Sequence, residues 1–404
     1  MKWTIGKPEI RIAEGKARLS ATITYGETRQ ELYYEADARY ADAFVTERSD
    51  AFLVSLLPKV LMEARKDKDL EIVCEAPVSR SLYHQLVNQY IPILVKEISY
   101  YEPIRLTAET TEEVLSSAKA VGTGISGGVD SSYTIAKYMN PGEGSYRLTH
   151  GIFFNVGIYG GYDSASEKHL EAEAKAIAED TGIEYLCVKS NTCKDLYGKA
   201  HAPVVPAVFI GAVLSLQKLF SVYYYSSGLC AHEMHFDDAD AAEYDWLNVM
   251  MFSTESTRFY SSGLEATRLE KIRFIAEYPF TYRHLAVCLN EDQQKGNCGR
   301  CAKCTRTMSE LETIGALDKY REVFDVEQFR ADPGYHWGYI VLKSWEKNVF
   351  CIEMLDEYKK QGKKLPAGAY AGAVRKWIKR GGTTKNRARE KVEDRVKSGE
   401  VFSE

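Results

Sequence analysis

From about residue 8 to residue 40 apolar and polar positions alternate: Glu9-Ile-Arg-Ile-Ala, a Glu14-Gly15 turn, Arg18 to Tyr25, Gly26, then Gln30 to Tyr34. That period-two pattern predicts antiparallel strands. The period then changes. Leu53, Leu56, Leu57, Val60 and Leu61 fall on one stripe at helical spacing, with Ser49 or Asp50 placed to cap its start. Leu70 to Cys74 reads as a short strand, and Leu82, Leu86 and Tyr90, with Tyr83, Val87 and Ile91, form a second helical face that Pro92 kinks or ends. Residues 1–115 are thus expected to be an α+β domain. It carries no chemical signature, which leaves substrate recognition, dimerisation and a structural cap open as its role.

From residue 116 to about 285 strands and helices alternate, as in a parallel sheet covered on both faces. The expected strands are Val121–Ile125, His150–Asn155, Tyr185–Lys189, Val222–Ser226 and Val249–Ser253. Helices are expected after Asp130, across Leu170, Ala174, Ile177 and Ala178, and from Pro206 to Phe220. Ala202 to Tyr225 is long and apolar, but Pro203, Pro206, Gln217 and Lys218 interrupt it, so it reads as a buried helix followed by a strand and not as a membrane span. Helical segments continue past Thr305, and Tyr335-His-Trp-Gly-Tyr opens a further strand or helix. A cysteine-rich segment over 286–320 and a helical extension over 321–404 complete the expected organisation.

Composition narrows the class. The chain has 404 residues, 45% of them hydrophobic, enough for two or three domains with a sizeable core. Its net charge of -5 argues against dominance by nonspecific nucleic-acid binding. No apolar leader follows Met1, and nine cysteines, an odd number with four crowded between 288 and 304, fit a reducing cytoplasm better than a disulfide framework. The basic run Val374 to Lys391 has two readings, contact with RNA or a phosphorylated substrate and a solvated terminus.

The candidate chemistry begins where the first strand of the alternating region breaks into Ser126-Gly127-Gly128-Val129-Asp130-Ser131-Ser132. A strand, a glycine turn and a helix start present unpaired backbone N–H groups and the positive end of the helix dipole to one point, which suits an anion. Gly127 and Gly128 allow close approach of a ligand, and Ser126, Ser131 and Ser132 add hydroxyls. Asp130 beside phosphates implies an intervening cation such as Mg2+. Other strand ends, at Asn155, at Ser226, Ser227 and Gly228, and at Ser253-Thr-Glu-Ser256, are expected at the same crevice. Arg268 and Lys271 share a face of a later helix; holding pyrophosphate or a carboxylate and facing solvent are both open to them. His232, His235, Asp237, Asp238 and Asp240 read as a second metal site or an acidic lid loop.

Cys288, Cys298, Cys301 and Cys304 have the spacing C-x9-C-x2-C-x2-C, which suits four thiolates on one ion. Structural zinc is the expectation; an iron–sulfur cluster is the rival.

The string Ser126-Gly-Gly-Val-Asp-Ser131 resembles the SGGxDS signature of the PP-loop ATP pyrophosphatases. Joined to the four-cysteine knuckle, the order is similar to that of the 7-cyano-7-deazaguanine synthases over residues 118–310. The whole chain looks more like PP-loop proteins that carry SGGVDS, STES and CGxCxKCxRT segments and tailor secondary metabolites or cell-surface precursors. It also resembles an ATP-dependent epimerase of a muropeptide precursor. The resemblance implies a HUP-like doubly wound parallel five-stranded sheet and cleavage of ATP to AMP and pyrophosphate. It further implies adenylation of a carboxylate or amide oxygen of a small molecule or peptide, for attack by a nitrogen or sulfur nucleophile. It would place ATP with Mg2+ on residues 126–132, adenine on Phe154, Asn155 and Val156, and the α-phosphate and ribose on Ser226, Ser227 and Gly228. Asp130, Ser126, Arg268 and Lys271 are the candidate catalytic residues. The alternatives are a sulfur transferase using Cys187, Cys193 or Cys230, an epimerase working through an acyl-adenylate, and a non-catalytic nucleotide-binding module. A homodimer is open; a membrane partner is not expected.

Overall fold

The computed structural model describes residues 1–115, 119–157, 165–198, 202–288 and 296–381. Its strands are β1 (Lys2–Ile5), β2 (Glu9–Ala13), β3 (Lys16–Tyr25), β4 (Thr28–Asp37), β5 (Glu71–Cys74), β6 (Val78–Ser79), β7 (Arg105–Thr107), β8 (Thr110–Thr111), β9 (Ala120–Gly124), β10 (His150–Asn155), β11 (Glu184–Ser190), β12 (Phe220–Ser226) and β13 (Arg258–Ser262). The fold is α/β with a mostly parallel central sheet. Strands β13, β12, β9, β10 and β11 lie side by side in that order, all parallel. All six residues of β10 are buried, as a strand covered on both faces requires.

The alternating N-terminal strands do not form a separate sheet. Strand β4 pairs antiparallel with β11 through Glu35–Lys189 and Tyr34–Ser190, and the sheet runs on through β3, β1, β5 and β7. Asn191 extends that seam, accepting from the Tyr33 amide at 2.9 Å and donating to the Glu31 carbonyl at 2.9 Å. One hydrophobic core accordingly joins Trp3, Leu32 and Leu57 to Phe154, Leu186, Ile210 and Tyr223. The helix Asp50–Glu63 packs on the helix Val205–Leu214 at Gly211, where a Cβ would lie 2.8 Å from the Ala51 carbonyl oxygen.

The helix expected from Leu82 to Ile91 is an α-turn from Arg80 to Gln85, a wide π-turn from Leu86 to Tyr90, and an α-helix from Ile91 to Glu97. Pro92 lacks an N–H to give to the preceding turn, so the widening falls where the expected kink was placed.

One expected strand is a helix. Val249–Ser253 lies within and just after the helix Asp245–Met251, and the fifth parallel strand is β13. The buried positions Asp245, Asn248, Val249 and Phe252 have spacings of three and four, the helical period; a short apolar run alone does not separate the two readings. The Ser253–Ser256 segment therefore enters β13 at its amino end, away from the crevice expected for it. There it binds the N-terminal strands and helices: Glu255 accepts from the Ser81 amide at 2.7 Å, Gln85 donates to the Ser253 carbonyl at 2.8 Å, and the Ser256 hydroxyl accepts from the Leu115 amide at 2.9 Å.

Past the sheet, helices Arg268–Ile275 and Ala302–Thr313 pack with Val129 and Tyr133 in a second core. Tyr335–Tyr339 lies in the helix Pro333–Trp345, which closes on the helix Ala369–Lys379 through Gly334, Gly338 and Gly372. Of the basic run, residues from 382 onward lie outside the described residues. No helix among the described residues is long and apolar enough to cross a membrane.

Candidate functional site

The chain passes from β9 to its neighbour β10, then β11, and returns to place β12 on the other side of β9. Strand order reverses there, and in open α/β sheets ligands bind at the carboxyl ends of strands flanking such a reversal. Strand β9 ends at Gly124 and runs through Ser126 and the two glycines into the helix Val129–Tyr138. A cleft of about 280 Å3 opens at this point, lined on the loop side by Ser126, Gly128, Asp130 and Ser131, on the sheet side by Phe153, Phe154 and Ser226, and from a later helix by Lys303.

No side chain caps the helix Val129–Tyr138, so the N–H groups of its first turn stay available at the cleft. The Ser126 and Ser131 hydroxyls lie 3.0 Å apart, and Ser131 also donates to the Gly128 carbonyl at 3.1 Å, which fixes the turn. The two glycines differ in purpose. Gly127 has φ of 69°, and a Cβ there would meet the His284 carbonyl and Ala286 at 3.1 Å. Its close approach is thus to the chain and not to a ligand. A Cβ on Gly128 would meet only the Ser126 hydroxyl, at 3.3 Å, on the cleft side. Ser132 and Val129 face inward, 3% and 1% exposed.

Asp130 is already compensated. Its carboxylate lies 3.1 Å from Arg268 Nη1 and 3.5 Å from Lys271 Nζ. Both cations are buried, so the solvent-facing reading of that helix is corrected: Arg268 lies against Thr307 and Glu310 of the helix Ala302–Thr313, and Lys271 against Gly263 and Ser227. Arg268 is shared with Glu310 of that helix at 3.4 Å, and Lys271 donates to the Ser227 carbonyl at 2.8 Å. An acid beside phosphates here needs no divalent cation to offset it, so the carboxylate alone does not imply Mg2+. Burial raises the pKa of Glu310, against the opposing pull of Arg268 and Arg306. Burial likewise holds Asp245 up at about 7, against hydrogen bonds from Ser227 and Ser261.

Of the residues expected around adenine, Phe154 lines the cleft and stacks on Phe209 at 4.9 Å. Asn155 instead gives its amide to Glu167, at 2.9 and 3.0 Å from the two carboxylate oxygens, and Val156 is buried in the main core. Of Ser226, Ser227 and Gly228, only Ser226 lines the cleft; its hydroxyl donates to Thr134 Oγ1 at 2.9 Å. Phe153, Glu310 and Asp245 carry no motif, and the sequence reading missed them; for Lys303, with Arg300 and Arg306, it expects only an offset to the thiolate charge of the cysteines, whereas Lys303 also lines the cleft. Lys303 had one legible signal, its position between two cysteines of the knuckle.

Cys288, Cys298, Cys301 and Cys304 come together with all four sulfurs within 4.8 Å of one another. Cys301 caps the helix Ala302–Thr313, its sulfur accepting from the Cys304 amide at 3.4 Å, and Cys298 accepts from the Cys301 amide at 3.2 Å. The 4.0 Å between the sulfurs of Cys301 and Cys288 is close to the roughly 3.8 Å separating corners of a tetrahedron with 2.3 Å metal–sulfur bonds. The Cys304 thiol is held up by its bond with Cys301 and by burial, a penalty on thiolates that a bound cation relieves. The cluster is a candidate metal site compatible with zinc.

The acidic loop is built otherwise. Asp237 and Asp240 accept from the amides of Ala239 and Ala242 and so serve turns, and Asp238 accepts from the amide and hydroxyl of Ser99, tying the loop to the N-terminal part of the chain. Cys230, His232 and Glu233 do converge within 4.8 Å, but Cys230 and Glu233 cap each other's ends of one short turn. Burial pushes the thiols of Cys187, Cys193 and Cys230 up to about 12, with Glu171 adding at Cys187 and Glu233 at Cys230. None resembles an activated thiolate.

Comparison with protein-family models, with curated proteins and with solved structures returned no match.

Proposed function

We propose that the chain is an ATP pyrophosphatase of the PP-loop type, adenylating a carboxylate or amide oxygen of a small molecule or peptide. The observation that carries this reading is the uncapped helix start at Gly128–Ser131, at the strand reversal, facing a cleft whose far wall is aromatic. Backbone N–H groups there suit a phosphate chain, and Phe153 and Phe154 suit a flat base. In the reaction a substrate oxygen attacks the α-phosphorus, the bond to the bridging oxygen breaks, and pyrophosphate leaves with both electrons. A nitrogen or sulfur nucleophile then displaces AMP.

Positioning and fixed dipoles would supply most of the catalysis. Ser126 and the N–H groups of the loop would contact the phosphates. Arg268 and Lys271 would act through Asp130, holding the loop, and any Mg2+ would arrive on the nucleotide. At the cysteine site we favour one zinc ion over an iron–sulfur cluster, because a cluster spreads its four thiolates over two or four irons and so holds at least some of the sulfurs further apart than one ion does. The raised thiols weigh against sulfur transfer.

The test is formation of AMP and pyrophosphate from ATP with a panel of carboxylates, together with ATP affinity by calorimetry. Asp130→Asn and Gly128→Val should remain folded by circular dichroism and lose turnover at least a hundredfold. A folded wild-type chain with no affinity for millimolar ATP would sink the proposal.

A further inference from the structure

We propose that Lys303 is the phosphate-binding cation of the cleft, delivered there by the cysteine-anchored helix. The assignment rests on the proposed nucleotide site for the name of the ligand, but on the arrangement of charges for its sign.

Near the glycine loop the cations are nearly all committed. Arg268 is divided between Asp130, Glu310 and Thr307, and Lys271 between Asp130 and the Ser227 carbonyl. Lys137 pairs with Glu265 on the outer side of the loop's helix. Behind the loop Arg268, Lys271 and Arg306, the last 3.8 Å from Glu310, are all held against the carboxylates of Asp130 and Glu310. What remains at the cleft is the row of backbone N–H groups and Lys303, which makes no hydrogen bond or ion pair among the described residues. Lys303 lines the same space as Gly128, Asp130 and Ser131. A charged donor left unpaired opposite open N–H groups is the arrangement that an anion completes.

Its placement follows from what surrounds it in the chain. Lys303 stands between Cys301 and Cys304, so the cysteine cluster fixes the backbone on both sides of it. One and two turns further on, Thr307 and Glu310 of the same helix hold Arg268, and Met308 and Leu311 are buried in the second core. The helix is therefore pinned at the sulfurs, at the Arg268 network and in the core, and Lys303 is its group at the cleft. The cysteine centre thereby becomes a prop of the anion site and not a remote staple.

Pyrophosphate is the probe that separates this inference from the nucleotide reading, with adenosine as the second probe. Calorimetry on the full-length, metal-loaded chain should show Lys303→Met binding pyrophosphate at least tenfold more weakly than wild type. Lys303→Arg should keep most of the affinity, adenosine affinity should be unchanged in both variants, and metal content and melting temperature should match wild type. Pyrophosphate affinity equal in wild type and Lys303→Met overturns the inference while leaving an ATP site standing. A wild-type chain that binds pyrophosphate through Lys303 but not adenosine keeps the inference and removes the adenine reading. Absence of pyrophosphate binding in wild type overturns both.

Discussion

At Gly127 the backbone lies in the left-handed region and an added methyl group would press on the His284 carbonyl, so Gly127→Ala carries both a conformational and a steric penalty. The expected cost is about 1–3 kcal/mol, read as a lower urea midpoint. Gly128, with φ of −73° and only the Ser126 hydroxyl near its Cβ position, should tolerate alanine within about 0.5 kcal/mol while ligand affinity falls. Equal destabilisation by both substitutions would show that the two glycines share one role. Asp245 offers a second measurement. Its folded pKa, about 7, stands above the unfolded value of 3.8 because the carboxyl is buried, so folding takes up a proton between these pH values. Stability should therefore fall as pH rises from about 4 to about 7 by this group's contribution, on the order of 4 kcal/mol at most. Burial of His336, held down at about 4, works in the opposite sense between about 4 and 6.5, so the net slope is mixed. Asp245→Asn isolates the first contribution: the variant-minus-wild-type stability should rise across that window and level off above it. A flat difference would mean that Asp245 is ionised in the folded chain throughout.

Elements were legible in the sequence wherever one period ran long enough. The ten-residue strands β3 and β4, the stripe from Leu53 to Leu61 and the strand–glycine–helix passage at Ser126 were all read from pattern and turn chemistry. The passage after Asp245 was not, because seven apolar-rich residues satisfy either period until a neighbour decides. The cysteine spacing announced one site but not the element that follows it, since nothing in Thr307 or Glu310 marks them as partners of Arg268 until the helix is placed. The helix Ala302–Thr313 carries the prediction at this scale. The chain should hold one zinc ion, measured by plasma mass spectrometry, and Cys298→Ser should lose it. The same substitution should lower the melting temperature by several degrees, because structural metal binding contributes directly to folding. Iron accompanied by inorganic sulfide and visible absorbance in the wild type would replace zinc by a cluster.

Over the whole molecule, the pattern of the first hundred residues gave β2, β3, β4 and β5 but neither β1 nor the destination of the sheet they form. Period-two patterning fixes which face of a strand is buried and leaves open which strand lies beside it. The seam between β4 and β11 is made of backbone pairs, and the packing beneath it depends on Gly211 admitting the helix Asp50–Glu63, whose residues Ser55 and Ala51 also bond Tyr34. Tyr197 reaches across to the Ser55 carbonyl at 2.6 Å. A chain truncated to 116–404 would leave the edge of β11 unpaired and uncover the apolar helix Val205–Leu214, Ile210 and Val213 included. Unpaired edges and bared apolar faces are aggregation sites. The truncated chain should accordingly be recovered insoluble, and in the intact chain labelled with fluorotryptophan the fluorine resonance of Trp3, which stacks on Tyr25 at the far side of the sheet, should be lost at the same urea concentration as the helical signal. Two separated transitions, with a soluble 116–404 fragment, would instead mean that the continuous sheet joins two independently stable halves.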